Sequence, residues 1–520
     1  MTMIRSALLF RTKLALAVLG LCLGLFLPVL LAAPAAAQGW LRADTPNFVI
    51  YSDGYPHELE RWARKVEMFD AALRLYFKRP EGRKGARLTI YMLKDEKAVA
   101  RLAGQKYLAG FYSPSSEGSF AVTNRKPTYY KQDMSGQQTL FHEYAHHFMY
   151  RHFPAAYPAW YREGFAEYVA TVQFDADGYW SFGLPASHRQ KRLDTDPLPI
   201  ETILFSDASQ LKAKRRSTFY AWSWLLVHML NSDPARADQL RTYLDRFSDG
   251  ADPRKAAAVF GDLETLESQL KVYAQSAQRH SRSTKPIATI DDIAISTLDP
   301  LASRLVELGL MRRAGRNLEN TRKSLRALAR AYPRHPDVQV ELALAERDIA
   351  RKARPEGVSL AEQAVDRALA AHPDHARANV IKASLTIRRL SRSRDRSSPE
   401  WANARARLVS AVRQSPEDAL PYLRLYSSYS RQRTRPPEGA HRAIAKAFAL
   451  QPEASDIRLA YAVSLALQGQ HDQANALARV LASDPHAAHL GKRALAVLAR
   501  IKAARPARSA VKTAQPSGTP

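Results

Sequence analysis

Residues 141–150 read Phe-His-Glu-Tyr-Ala-His-His-Phe-Met-Tyr, and within them His142, Glu143 and His146 spell H-E-x-x-H. On a helix, positions i and i+4 lie one above the other on the same face. Two imidazoles so placed can hold one Zn²⁺, and the glutamate between them can serve as general base toward a water activated there. The motif alone is short. Its meaning depends on whether the flanking sequence supplies a third ligand, a place for substrate and a suitable compartment.

The third ligand is sought just downstream. The spacing predicts a motif helix over about Gly136–His152, with Pro154 and Pro158 marking its end. A second helix is predicted over Trp160–Gln173. It carries Glu163 and Glu167 one turn apart on one face, and either could complete a His₂Glu set.

H-E-x-x-H followed by W-x-x-E-G-x-A-E resembles the gluzincin metallopeptidases, the group that includes thermolysin, the M1 aminopeptidases and the clostridial collagenases. Within that group the chain looks most like the peptidase-MA-like domain family DUF1570. The resemblance spans roughly residues 45–280 and implies an α+β zincin-like fold with one Zn²⁺ per chain. By that resemblance the metal ligands are His142, His146 and Glu163, with Glu143 as catalytic base. Glu167 would orient a ligating histidine, and Tyr220, in Phe-Tyr-Ala-Trp-Ser-Trp, would stabilise the oxyanion. Substrate peptide would pair with an edge strand formed by Ser119, Phe120, Ala121, Val122 and Thr123. The spacer between the two motifs is shorter than in thermolysin. No residue marks a free α-amine site, which favours an endopeptidase.

Two neighbouring histidines read differently. His147 sits about 100° round the helix from His146, so it belongs to packing rather than ligation. His228 lies in the apolar run Ser217–Asn231 and reads as a structural histidine.

Upstream of the motif, residues 47–53, Ala86–Leu93, Gly110–Ser113 and Ser119–Asn124 read as strands. Pro56–Phe77 and Asp95–Ala103 read as helices. Downstream, residues 174–200 contain Gly178, Gly183, Pro185, Pro197 and Pro199 and read as a long surface loop. A boundary is predicted near Arg279–Lys285, giving a metallopeptidase-like domain over 38–280 and a linker over 281–297. Beyond it Pro336, Pro373, Pro416, Pro452 and Pro485 recur at intervals of 37, 43, 36 and 33 between apolar helix patterns. That period, with a Gly turn at Gly469, predicts an all-α tetratricopeptide-repeat solenoid over 298–502. Residues 503–520 are rich in Ala, Pro, Ser, Thr and Lys and read as a disordered tail.

The N-terminus points to export. Arg5, Arg11 and Lys13 precede the apolar run Leu14–Leu31, and Ala35-Ala36-Ala37 offers a cleavage site before Gln38. Residues 1–37 thus read as a signal peptide, cleaved after Ala37, for a periplasmic or secreted protein. Membrane attachment would follow only if that segment stayed uncleaved. Cys22 is the sole cysteine, so the exported chain holds no disulfide and depends on its buried core. With 77 Lys and Arg against 50 Asp and Glu, the net charge is +27. The basic residues are spread along helices without a nucleic-acid motif, so no specific nucleic acid is expected as partner.

The leading expectation is an exported zinc metallopeptidase acting on a peptide or protein substrate, whose repeats dock substrate or a protein partner. The alternative is an envelope scaffold whose metal domain is structural or vestigial. A third reading, suggested by the charge, is a metal-dependent hydrolase of an anionic envelope polymer.

Overall fold

The computed structural model describes residues 39–503, apart from 80–84, 107, 127–133, 154, 207–210, 277, 289, 291–292, 353–356 and 485–487. The expected signal peptide and tail, together with Pro154 and Pro485, lie outside the described residues.

The N-terminal half is built on a six-stranded sheet. Its strands are β1 (Leu41–Asp44), β2 (Phe48–Ser52), β3 (Leu88–Leu93), β4 (Phe111–Ser113), β5 (Phe120–Asn124) and β9 (Ala294–Thr297), in the order β4-β5-β3-β2-β1-β9. The β2–β3 and β3–β5 pairs are parallel, and both edges are antiparallel. Period-two alternation gives each strand two apolar faces. Ile90, Met92 and Ala121 face the main core, formed with α1 (Pro56–Tyr76) and α3 (Gly136–His152). Tyr91, Leu93, Phe120 and Val122 face the other way, toward Val99 of α2 (Glu96–Ala103) and Leu310.

The strand expected to receive substrate is therefore not at the edge. Residues Phe120–Val122 of β5 are paired on both sides, to β3 and to β4, Thr123 is paired to β3, and Ser119 precedes the strand. The parallel β3–β5 pairing, which sequence pattern does not reveal, moves the edge to β4.

α3 starts with a capping box: the Ser135 side chain accepts from the Gln138 N–H, and Gln138 answers at the Ser135 N–H. It is buried nearly all round despite its histidines and Arg151, with Glu143 among its few partly exposed residues. α4 (Ala159–Ala170) packs on it and on α7 (Ala213–Asn231). The contact with α7 requires Gly164. A Cβ there would lie 2.4 Å from the Ser223 carbonyl oxygen and 2.8 Å from Val227 Cγ2.

Residues 174–200 are not a plain loop. They hold β6 (Gln173–Phe174), β7 (Trp180–Phe182) and α5 (Ser187–Thr195), followed by α6 (Ile200–Phe205). Trp180, Phe182, Leu193 and Leu198 are buried, and that burial outweighs the Gly and Pro content. α8 (Pro234–Ser248), α9 (Pro253–Ala257) and α10 (Leu263–Ala274) complete this half.

The predicted linker 281–297 is structural too. β8 (Ser281–Arg282) pairs with β7, Ile287 is buried in the main core, and β9 closes the large sheet against β1. The N-terminal unit thus extends to about Leu298.

The rest is helical: α11 (Pro300–Arg313), α12 (Leu318–Ala331), α13 (Pro336–Lys352), α14 (Gly357–Ala371), α15 (Ala376–Ser393), α16 (Glu400–Gln414), α17 (Ala419–Gln432), α18 (Glu438–Leu450), α19 (Ser455–Leu467), α20 (His471–Ala482) and α21 (Ala488–Ala503). They pack in successive pairs, and the turns within α11–α12, α15–α16, α17–α18 and α19–α20 carry a left-handed residue: Asn317 (φ 48°), Arg394 (φ 60°), Arg433 (φ 60°) and Gly469 (φ 79°). This is a tetratricopeptide-like array. No described helix is long and apolar enough to cross a membrane.

The array is docked on the N-terminal unit. The Pro114–Gly118 turn between β4 and β5 enters its inner side. There Gln451 Nε2 donates to the Ser115 carbonyl (2.7 Å), Ser116 Oγ donates to Asp456 (2.6 Å), and Arg313 donates to the Gly118 carbonyl. The far end of α3 is tied down as well. Tyr150 OH donates to Asp484 (3.0 Å), and Arg458 donates to the Tyr150 carbonyl (2.9 Å).

Candidate metal centre

One turn of α3 separates His142 from His146, and their Nε2 atoms lie 3.2 Å apart. From α4, Glu163 brings Oε2 to 3.5 Å from His142 Nε2 and 3.7 Å from His146 Nε2. Donors bound at 2.0–2.1 Å to a tetrahedral ion stand about 3.3 Å from one another. These three buried groups are spaced to hold one such ion, and they are the one such cluster of His, Cys, Asp and Glu found among the described residues. Two imidazoles with a carboxylate match zinc better than calcium or magnesium, which take mostly oxygen.

Glu167 is fully buried one turn beyond Glu163. Its Oε1 meets His142 Nδ1 at 3.3 Å, a contact without good hydrogen-bond alignment. Its other partners come from α5: His188 Nε2 at 2.9 Å and the Arg189 guanidinium at 2.5 and 3.0 Å. Sequence reasoning missed His188 and Arg189 because they fall in the segment read as loop. Their signal was a histidine beside an arginine, downstream of a helix with a surplus of acid.

The electrostatics are those of a cation site. Burial opposes charge on His142, but Glu163 and Glu167 outweigh it and push the imidazole up to about 10. Burial likewise opposes ionisation of Glu163 and Glu167. The histidines reverse this for Glu163, and Arg189 with His142 and His188 for Glu167, so both carboxyls are held well below their usual range.

Tyr220, on α7, stands over His142 with ring centroids 6.2 Å apart, and the Arg189 guanidinium lies 5.7 Å from its ring. Burial and the nearby Glu163, Glu143 and Glu167 carboxylates raise its phenol far above the ordinary value, so it stays a hydrogen-bond donor. Glu143 is partly exposed and turns toward the start of β4. A Cβ on Gly110 would lie 3.6 Å from Glu143 Cγ and 2.4 Å from Thr139 Cγ2, so the backbone here passes close to the glutamate. β4 is pinned by Tyr112 OH, 3.0 Å from His147 Nδ1. His147 thus packs away from the centre. His228 is held by Tyr273 OH and the Gly183 carbonyl, both at 2.8 Å.

No protein-family model matches this chain, and no curated protein matches it. Solved structures similar to it include a thermophilic TPR protein of Thermus thermophilus, at 20% identity and a TM-score of 0.32, covering 38% of this chain and 99% of that one. Another is PilF of Pseudomonas aeruginosa, at 19% identity and a TM-score of 0.28, covering 39% of this chain and 88% of that one.

Proposed function

We propose that the chain is an exported zinc-dependent peptidase whose helical array binds a protein partner. The observation that carries this reading is the triangle of His142, His146 and Glu163 donors, at 3.2, 3.5 and 3.7 Å, with Glu143 beside it. Zinc held there supplies Lewis acidity.

The remaining roles belong to the chain. Glu143 removes the proton from the attacking water and returns it to the leaving amine. Tyr220 donates to the carbonyl oxygen as that atom gains charge. Glu167, fixed by His188 and Arg189, sets the orientation of the His142 ring. The outer edge of β4, Phe111–Ser113, offers backbone groups to an extended peptide next to Glu143.

The test combines metal analysis with cleavage of a mixed peptide library by the purified chain. Stoichiometric zinc, lost in His142→Ala, and hydrolysis that falls at least about 10²-fold in zinc-replete Glu143→Gln would support the reading. Stoichiometric zinc with no cleavage of any library peptide would overturn it in favour of a structural metal site on a scaffold.

A further inference from the structure

The inner side of the helical array gathers arginines around a cavity. A cavity of about 450 Å³ opens between α13, α15 and α17, and Arg347, Arg377, Arg388, Arg392, Arg424 and Arg431 line it. Glu117, at the tip of the β4–β5 turn, is the one carboxylate in its wall. It reaches Arg347 at 2.8 Å and Arg377 at 3.7 Å. Arg377 Nε is buried without a hydrogen-bond partner. Between the arginines lie Ser384, Ser391 and Ser427, with Leu344, Val380, Ile381 and Leu420 buried beneath.

The groove therefore already displays the chemistry it accepts. It holds a carboxylate presented on a peptide turn, whose backbone carbonyls at Ser115 and Gly118 are also bound by the array. The arginines beyond Glu117 extend that surface past the end of the internal turn. We propose that this groove is a docking site for an acidic peptide segment of a partner protein, with its carboxylates on the arginines, seated beside Glu117. The turn already seated there favours peptide over a bare polyanion, because the array binds its backbone carbonyls as well as its carboxylate, and a phosphate chain offers no such carbonyls. The proposal does not depend on the peptidase reading, since no residue of the metal centre takes part.

The test is a fluorescence-anisotropy titration of the full chain with a short labelled peptide alternating Asp or Glu with Gly or Ser. Its Asn/Gln counterpart, inorganic polyphosphate and single-stranded DNA are run alongside. Two variants are used: Arg388→Glu with Arg431→Glu, which leaves the Glu117 contacts intact, and Glu117→Gln, which releases Arg347 and Arg377. The acidic peptide should bind at least about tenfold tighter than its amide counterpart and weaken with salt. The double reversal should cost about tenfold or more while circular dichroism stays unchanged, and Glu117→Gln should tighten binding severalfold. Equal binding of the amide peptide, no loss in the double reversal, or tighter binding of polyphosphate or DNA than of the peptide would each overturn the proposal.

Discussion

Replacing Glu117 by Gln should loosen the turn on which β4 hangs, and the size of the effect can be worked from the cradle around it. Four guanidiniums face this carboxylate: Arg312 of α11 at 3.9 Å, Arg347 of α13 at 2.8 Å, Arg377 of α15 at 3.7 Å, and Arg424 of α17 in the same electrostatic field. Glu341 and Asp348 share Arg312, so they soften the loss without replacing the pairing. Burial alone would raise the Glu117 carboxyl. The arginines reverse this and take it from 4.5 down to about 2. At 1.36 kcal/mol per unit, that gap corresponds to about 3 kcal/mol of net preference for the ionised carboxylate in its folded place, burial included.

A depressed carboxyl stabilises the folded state above its unfolded value and loses that contribution as pH falls through its folded value. The stabilisation is thus complete above about pH 4.5 and gone near pH 2. Hydrogen exchange read by mass spectrometry on peptides spanning 111–124 reports local opening without requiring a two-state chain. Glu117→Gln should speed exchange there by about 10²-fold at pH 7, after correction for intrinsic rates. Wild type and variant should converge as pH drops from 4.5 toward 2. Unchanged exchange at pH 7, or a difference that persists undiminished at pH 2.5, would refute the claim that the arginine cradle holds the turn.

Other consequences follow from the peptidase reading and from the packing of α4 on α7. Tyr220→Phe should keep zinc content and KM near wild type while kcat falls about 10²- to 10³-fold, because only the developing oxyanion loses a donor. An unchanged kcat would place Tyr220 in the core and nowhere else. Glu167→Gln should weaken zinc about 10- to 100-fold in a competitive chelator titration, since the carboxylate orients His142 and neutralises Arg189. Gly164→Ala should destabilise the N-terminal half by about 1–3 kcal/mol, because its methyl group would overlap the Ser223 carbonyl. A chemical melt unchanged from wild type would mean that α4 and α7 are less closely apposed than the structure has them.

How much of this is legible in the sequence depends on whether the signal is local. The capping box and i,i+4 histidines fix α3 from its own residues, and Glu163 follows within one short connection. The array of helix pairs can be read from recurring prolines, because each pair repeats one local pattern. What fails is long-range. Parallel pairing of β5 with β3 leaves no trace in the alternation of either strand, so nothing in the pattern corrects the edge position that the resemblance implies for Ser119–Thr123. The 174–200 segment carries enough Gly and Pro to look like loop, yet its aromatic residues are buried, and it delivers His188 and Arg189 to Glu167. Residues 281–297 are polar and short-stranded. Only their partners, β7 and β1, make them part of the first unit.

The two halves of the chain also constrain one another through that same edge. β4 is only three residues long, too short to keep its register by its own ladder. One end passes against Glu143 at Gly110, and the other runs into the turn held by the repeats. The Tyr112–His147 contact pins the middle to α3, while Tyr150, on the same helix, is tied to the array through Asp484 and Arg458. Any displacement of the array therefore acts on both the helix that carries Glu143 and the strand beside it. A partner seated in the arginine groove would press on the Glu117 turn and shift β4 relative to Glu143. On the peptidase reading, the acidic peptide that binds the groove should then change KM for a peptide substrate while leaving zinc content untouched. A groove peptide that saturates its site with no effect on KM would show that the turn is a rigid strut, and that the array recruits partners without adjusting the site.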